Sequence, residues 1–343
     1  MYIFNPEHDI CLANGDANFS PPESSLRFGR DCSGIMRFLD EDGVRILAWG
    51  WDKVLKNRLL KEGEDESLMP SDSYLDKVRE LSHRHVAVEC NAFLHRCPSL
   101  RATSIPVELS DFEQVRIFVA EQGRAVLKAP WSGSGKGLRW ISDGAMSVSD
   151  EGWCRNILAK QGCIIGESRE DVVLDFALLL KIGGASTHEE PTVCFEGYSL
   201  FEASNGAYHS SILASNEHIR NVISGYISLN MFDEVKNALE AFLKDRFCGQ
   251  YQGWLGVDMF IYRSGDSFLL NPCVEINVRM TMGLLARRYY DLHFASAHPN
   301  EDGMHRMSVV YAPTPSLLKE RLKDATDILS TPGPDSLYAV AVF

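Results

Sequence analysis

An α+β fold is what the sequence predicts, with a small α/β unit up to about residue 100 ahead of a longer part dominated by antiparallel strands. Three observations carry this. From residue 124 onward, short apolar runs recur between compact turns such as Asn205-Gly206, a strong hairpin signal. Residues 229–247 show apolar positions at helical spacing. Before residue 100, strand-like runs at 2–4 and 44–50 alternate with stretches of helical character.

In order, residues 2–4 read as a first strand that ends in the polar turn 5–9. Residues 44–50 read as a second strand, followed by a basic helix, and 74–95 carry helical spacing with mixed charge. Residues 110–122 read as a helix, with Ser110 as N-cap and Glu113 completing a capping box. The run 124–129 is an apolar strand, 131–137 a Gly/Ser loop and 138–141 a second strand, which together make a hairpin rather than strand-loop-helix. Strands are expected at 163–167 and 172–182, at 192–204 and 207–214, and at 255–262 and 267–278. A last helix over 315–329 and a closing strand over 337–343 complete the reading.

Bulk properties narrow the function. Hydrophobic residues make up 45% and charged residues 24% of the 343, so most of the chain is expected to fold. The net charge of −13 argues against a general nucleic-acid binder, while leaving room for a local basic pocket. The nine cysteines are spread singly without a CxxC, which indicates neither a zinc knuckle nor a thioredoxin motif, and an odd count with no framework fits a reducing compartment. The first residues lack a basic n-region and a long apolar h-region, and no run of about 18 apolar residues occurs. The expected location is the cytoplasm, with no membrane partner.

Two segments carry chemistry. The first is Val126-Leu127-Lys128-Ala129-Pro130-Trp131-Ser132-Gly133-Ser134-Gly135-Lys136-Gly137. Its glycines and serines allow backbone N–H groups to close on a polyanion, and Lys128 and Lys136 supply positive charge. It is not a Walker A loop, because Pro130 stands where that motif needs glycine and Gly137 where it needs Ser or Thr. The second segment joins Gly256-Val257-Asp258 to Cys273-Val274-Glu275-Ile276-Asn277-Val278-Arg279. Strand period 2 places Glu275, Asn277 and Arg279 on one face, and Asp258 comes within reach if the two strands pair antiparallel. Such hard oxygen donors suit Mg²⁺ shared with phosphates.

Together the two segments resemble the ATP-grasp enzymes over roughly residues 80–290. The resemblance implies an ATP-grasp fold, with two α+β subdomains clasping ATP behind the small N-terminal α/β domain. It sets expected units at 1–100, at 101–185 with the Gly-rich hairpin, and at 186–343 with the Mg²⁺ site and a C-terminal extension. It implies ATP binding by Lys128, Ser132, Gly133, Ser134, Gly135, Lys136 and Gly137. It further implies adenine contact at Glu167, ribose contact at Asp175, and Asp258, Glu275 and Asn277 as Mg²⁺ ligands. Arg84, in Leu81-Ser82-His83-Arg84-His85, stands where the family usually has a phosphate-binding lysine. Arg279 and Lys136 would act in catalysis.

The activity implied is that of an ATP-dependent ligase. It would activate a carboxylate, of a small molecule or a peptide, as an acyl phosphate for attack by an amine or thiol. Phosphoryl transfer to a hydroxyl and non-catalytic ATP binding are the alternatives. Asn5, His8 and Asp9, just past the first strand, and His209 are expected at the acceptor pocket. A homo-oligomer is compatible with the sequence.

Overall fold

The computed structural model describes residues 1–41, 43–100, 103–133, 137–183 and 192–343. Fourteen strands are defined among them: β1 (Tyr2–Ile3), β2 (Leu47–Ala48), β3 (Val107–Leu109), β4 (Ala125–Lys128), β5 (Leu138–Ile141), β6 (Ile164–Ser168), β7 (Asp171–Ile182), β8 (Val193–Ser204), β9 (Ala207–Leu213), β10 (Gly253–Ser264), β11 (Ser267–Asn277), β12 (His305–Tyr311), β13 (Asp327–Ile328) and β14 (Tyr338–Val342). They form a parallel pair β1-β2, a four-stranded sheet β3-β6-β4-β5 and an eight-stranded sheet β11-β10-β7-β8-β9-β12-β14-β13. The two larger sheets are antiparallel throughout and part between Ser168 and Asp171.

Period 2 along the long strands gives the eight-stranded sheet two different faces. Phe176, Leu178, Leu180, Val257 and Ile276 join a core with the helices Asp72–Leu81, His85–Leu94, Asn216–Ser224 and Leu229–Phe247. Phe176 and Phe232 are fully buried there, their rings meeting edge to face at 5.7 Å. On the opposite face Leu179 and Leu213 meet the helix Met282–Tyr289 and the N-terminal residues Phe4, Ile35, Leu47 and Trp49. Met280 N–H donates to the Trp49 carbonyl at 2.9 Å, fixing the N-terminal segment beside the end of β11. The four-stranded sheet buries Leu127, Ile141 and Ile164 against the helices Phe112–Gln122 and Val148–Gln161. Lys128 and Glu167 belong to alternate positions and emerge on its other face.

Several expected elements differ. The N-cap of Phe112–Gln122 is Asp111, whose carboxylate accepts from Gln114 N, and not Ser110. The run 74–95 is two helices, because the chain turns at Ser82–Arg84, where Arg84 N–H donates to the Pro130 carbonyl at 3.0 Å. The polar turn after β1 is short, and a helix begins at His8. The last helix stops at Arg321, because Asp327–Ile328 pair with β14 as an edge strand. The helices Glu23–Asp31, Val148–Gln161 and Met282–Tyr289 were not expected at all.

Leu285 is fully buried where this last helix meets the sheet and the N-terminal segment. Leu285→Ala is expected to lower unfolding free energy by about 2–5 kcal/mol. Urea denaturation checks this; a change below about 1 kcal/mol would mean that the N-terminal segment is not packed on the sheet through this helix.

Candidate functional site

The cavity-facing rows of the eight-stranded sheet follow from strand register. Glu275 stands opposite Asp258, Asp258 opposite Ala177, and Ala177 opposite Ser199. One step along, Phe260 faces Asp175, Asp175 faces Phe201, and Phe201 faces Ser211. Above this surface the four-stranded sheet presents Lys128 from β4. A cavity of about 410 Å³ lies between the sheets and is lined by Lys128, Ser132, Gly133, Asp175, Asp258, Glu275, Asn277 and Arg279 among others.

The charges here are paired. Lys128 Nζ lies 2.6 Å from Glu167 Oε1, and both side chains are about nine-tenths buried. Arg84 is the junction of the two sheets. Its Nη2 lies 2.7 Å from Glu275 Oε1, and its guanidinium also donates to the Ser132 hydroxyl at 2.7 Å, the Ser132 carbonyl at 3.1 Å and the Ala129 carbonyl. Its Nε is buried without a hydrogen-bond partner among the described residues. Arg279 grips Asp9 through two parallel bonds, Nε to Oδ1 at 2.8 Å and Nη2 to Oδ2 at 2.7 Å. Burial alone would raise the Asp9 pKa, but Arg279 overrides it and holds the carboxyl below the usual range.

The acids without a cation behave differently. Burial, reinforced by the charge of Glu275, pushes the Asp258 carboxyl up to about 7, although Asn277 Nδ2 donates to its Oδ2 at 3.0 Å. Burial pushes Asp175 up to about 6. Neither Asp258 nor Asp175 forms an ion pair among the described residues, whereas Glu275 in the same row has Arg84. No group of three or more His, Cys, Asp or Glu side chains able to hold a metal occurs among the described residues. The donors at this point are two carboxylates and the amide oxygen of Asn277. Such a set fits a hard divalent cation that completes its shell with water and phosphate oxygens, as Mg²⁺ does.

The hairpin that follows β4 is held in three places. Ala129 N–H donates to the Gly137 carbonyl at 2.8 Å, and Arg84 holds Ser132. Gly133 approaches Asp9 so closely that a Cβ there would lie 2.6 Å from Asp9 Oδ2. At the far side the β8-β9 turn, with Asn205 at φ 50° and Gly206 at φ 75°, meets β5. A Cβ on Gly206 would lie 2.2 Å from the Leu138 side chain, so only glycine fits both the backbone and the contact.

Of the residues expected at the site, Lys128, Ser132, Gly133, Asp175, Arg84, Asp258, Glu275, Asn277, Arg279 and Asp9 line one cavity. Glu167 stands behind Lys128, and Gly137 closes the hairpin. Ser134, Gly135 and Lys136 lie outside the described residues. Asn5 and His8 do not reach the cavity. Asn5 Nδ2 donates to the Gly50 carbonyl at 2.8 Å, and His8 Nδ1 lies 3.0 Å from Asp52 Oδ2, in a buried polar knot that fixes the N-terminal segment. His209 is exposed, while its neighbour Tyr208 lines the cavity. Sequence reasoning missed Tyr208, Phe4, Phe28, Trp49, Phe201 and Met282, which line the remaining wall. Only the alternation at Ser199-Leu200-Phe201 carried a signal for any of them.

No family model matches the sequence, and no curated protein matches it. By structure the chain is similar to the biotin carboxylase–β,γ-ATP complex from Campylobacter jejuni, at 12% identity and a TM-score of 0.51, over 87% of this chain and 70% of that one. The chain has the ATP-grasp fold. Two further similar structures are N5-carboxyaminoimidazole synthetase from Staphylococcus aureus complexed with ADP (12% identity, TM-score 0.49, 97% of this chain and 90% of that one) and the synthase from Aspergillus clavatus in complex with ADP and 5-aminoimidazole ribonucleotide (13% identity, TM-score 0.49, 87% and 76%). In this ATP-grasp fold the four-stranded sheet with its hairpin lies over the acid-bearing face of the large sheet.

Arg84→Met is expected to destabilise the protein by about 1–3 kcal/mol, less than for a fully buried pair because Glu275 is 30% exposed. Arg84→Lys should restore little of this, since an ammonium cannot reach a carboxylate, a hydroxyl and two carbonyls at once. Urea midpoints check both, and full rescue by lysine would show that charge alone matters.

His83 packs its ring against Trp131 at 4.4 Å, edge to face. Burial pushes its pKa down from 6.5 to about 4; Glu108 opposes this, while His85, Arg79 and Arg84 add to it. The folded state therefore takes up its proton later than the unfolded chain does. Its contribution to stability should be complete above about pH 6.5 and fall as the pH drops towards 4. His83→Gln should flatten that part of the stability profile, read as urea midpoints between pH 7 and 4.5.

Proposed function

We propose that this protein is an ATP- and Mg²⁺-dependent ligase that activates a carboxylate as an acyl phosphate for attack by an amine or thiol. The observation that carries the reading is the convergence on one cavity of a lysine-bearing hairpin and the Asp258–Glu275–Asn277 cluster. The fold supports it, as does the ATP named in the similar biotin carboxylase complex.

In this reading the nucleotide lies between the sheets. Lys128, buried and fixed by Glu167, meets its phosphates, and Asp175 meets the ribose hydroxyls. Asp258, Glu275 and Asn277 would hold Mg²⁺, which when bound neutralises charge on the phosphates. A carboxylate oxygen of the substrate attacks the γ-phosphorus. The bond from that phosphorus to the β,γ-bridging oxygen breaks, and ADP leaves with the electron pair. The nucleophile then attacks the acyl carbon, inorganic phosphate leaves, and the nucleophile's proton passes to phosphate or solvent.

The chain's own part is electrostatic and steric. Arg279 lies two residues past Asn277, held rigid by Asp9, and keeps a guanidinium beside the transferred phosphoryl group. Arg84 holds the hairpin down on Glu275, which excludes water from the acyl phosphate.

ATP with Mg²⁺ should raise the melting temperature by mass action, with GTP tested beside it. ADP release with a suitable acceptor should be matched by inorganic phosphate; phosphate retained on the product would make the protein a kinase. Glu275→Gln should raise the Mg²⁺ requirement and lower turnover by ~100-fold or more. Unchanged Mg²⁺ dependence in that variant would move the metal elsewhere.

A further inference from the structure

The wall of the cavity away from the acid row has its own chemistry. Phe4, Phe28, Trp49, Phe201, Tyr208 and Met282 line it. Phe4 is packed edge to face on Phe28 at 5.2 Å and on Trp49 at 4.9 Å, so this wall is a built aromatic cluster. The Tyr208 hydroxyl is already engaged, donating to the Met307 carbonyl at 3.3 Å and lying 3.0 Å from Ser211 Oγ.

The charges bordering this wall are Asp9 and Arg279, and they neutralise each other. Neither is saturated. A guanidinium has five N–H donors. Arg279 spends Nε and one Nη2 hydrogen on Asp9 and one Nη1 hydrogen on the Met280 carbonyl at 3.2 Å, which leaves an N–H on each Nη among the described contacts. Among the described residues each Asp9 oxygen accepts a single bond, which leaves it a lone pair. The other cations lining the cavity, Arg84 and Lys128, are bound to Glu275 and Glu167. Ser199 adds a buried hydroxyl on the cavity floor with no partner among the described residues.

We infer that the non-nucleotide substrate is a zwitterionic α-amino acid with a large apolar side chain, its carboxylate at Arg279, its ammonium at Asp9 and its side chain against Phe4, Phe28 and Trp49. This rests on the ligase reading, since it names the substrate of that same site. A zwitterion adds no net charge to a pair that has none, whereas a phosphorylated acceptor would bring two negative charges to a wall where each described cation already has an acid. The arrangement also sets the amino acid's carboxylate beside Asn277 and the metal cluster, where the acyl phosphate of the proposed reaction forms.

The test is calorimetric binding of single amino acids to the full chain, with and without Mg²⁺ and a non-hydrolysable ATP analogue. Phenylalanine, leucine or methionine is expected to bind at least about tenfold more tightly than alanine, the worth of a buried apolar side chain. N-acetylphenylalanine and phenylalanine amide, each lacking one charge of the zwitterion, should bind at least about tenfold more weakly than phenylalanine. Asp9→Asn should weaken phenylalanine, with an unchanged far-UV circular dichroism spectrum showing that the variant is folded. Phe28→Ala should narrow the gap between phenylalanine and alanine. Tighter binding of O-phosphoserine or phosphoethanolamine, equal binding of alanine and phenylalanine, or no amino-acid binding with or without nucleotide would each overturn the inference. The ATP reading is judged separately, by the thermal shift of the nucleotide alone.

Discussion

The Arg84 guanidinium is the contact on which the site depends. It reaches a carboxylate on the large sheet and a hydroxyl and two carbonyls on the hairpin of the small one. Beside it, Gly133 against Asp9 of the N-terminal helix and Gly206 against Leu138 are contacts of close approach rather than of strong attraction. Arg84 can do this because the chain breaks between two helices just there, and its own N–H is bound to Pro130 at the start of the hairpin. A lysine at this place would offer one point of charge, and the planar fork of arginine offers several directed donors.

Below Arg84 the large sheet changes character across its width. The β11-β10-β7 side carries Glu275, Asp258 and Asp175, and the β8-β9 side carries Phe201, Ser211 and Tyr208. A cavity spanning such a surface is suited to a ligand that is polyanionic through a cation at one end and apolar at the other. The N-terminal segment makes the second half of this contrast. Its polar residues Asn5 and His8 are turned inward on Gly50 and Asp52, while Phe4, Pro6, Asp9, Phe28 and Trp49 face the cavity.

What was legible in the sequence was what lies on one strand or one hairpin. Glu275 and Asn277 share a face by period alone, and Asp258 joins them because the antiparallel β10-β11 pair places it opposite Glu275. Lys128 was legible from its place before a Gly/Ser loop. The partners were not, because they come from far along the chain. Arg84 meets Glu275 across 191 residues and Arg279 meets Asp9 across 270. The aromatic wall was hidden for the same reason: Phe4, Phe28 and Trp49 come together only when the N-terminal segment folds onto the sheet. The missed helix Met282–Tyr289 shows a further limit. Its eight residues make little more than two turns, too few for a helical period to stand out in sequence, and its Arg287 is buried and bonded to Asp291 and the Ala214 carbonyl. The helix Val148–Gln161 begins with a capping box of Ser147 and Asp150 that sequence reasoning passed over, and its mixed faces carry little periodicity.

The pairing of the cations has a consequence for how such a cavity accepts a ligand. An unpaired buried charge costs several kcal/mol, and Lys128, Arg84 and Arg279 each avoid this through an acid of the chain itself. An entering anion therefore does not find vacant positive charge; it shares or exchanges partners with Glu167, Glu275 or Asp9. The gain on binding is correspondingly smaller than the contacts alone suggest, and geometry decides which exchanges occur. Among the described contacts Lys128 and Arg279 keep donors beyond those their acids use, so they can add a ligand without losing a partner. Asp258 stands apart, since its nearest hydrogen-bond partner is the neutral amide of Asn277 and its charge is opposed by Glu275. It is the place where an added cation gains most, and a cation there would relieve the repulsion between the two facing carboxylates. The acid row is thus the part of the cavity least satisfied by the chain alone, and the part where binding a metal together with phosphate changes the electrostatics furthest.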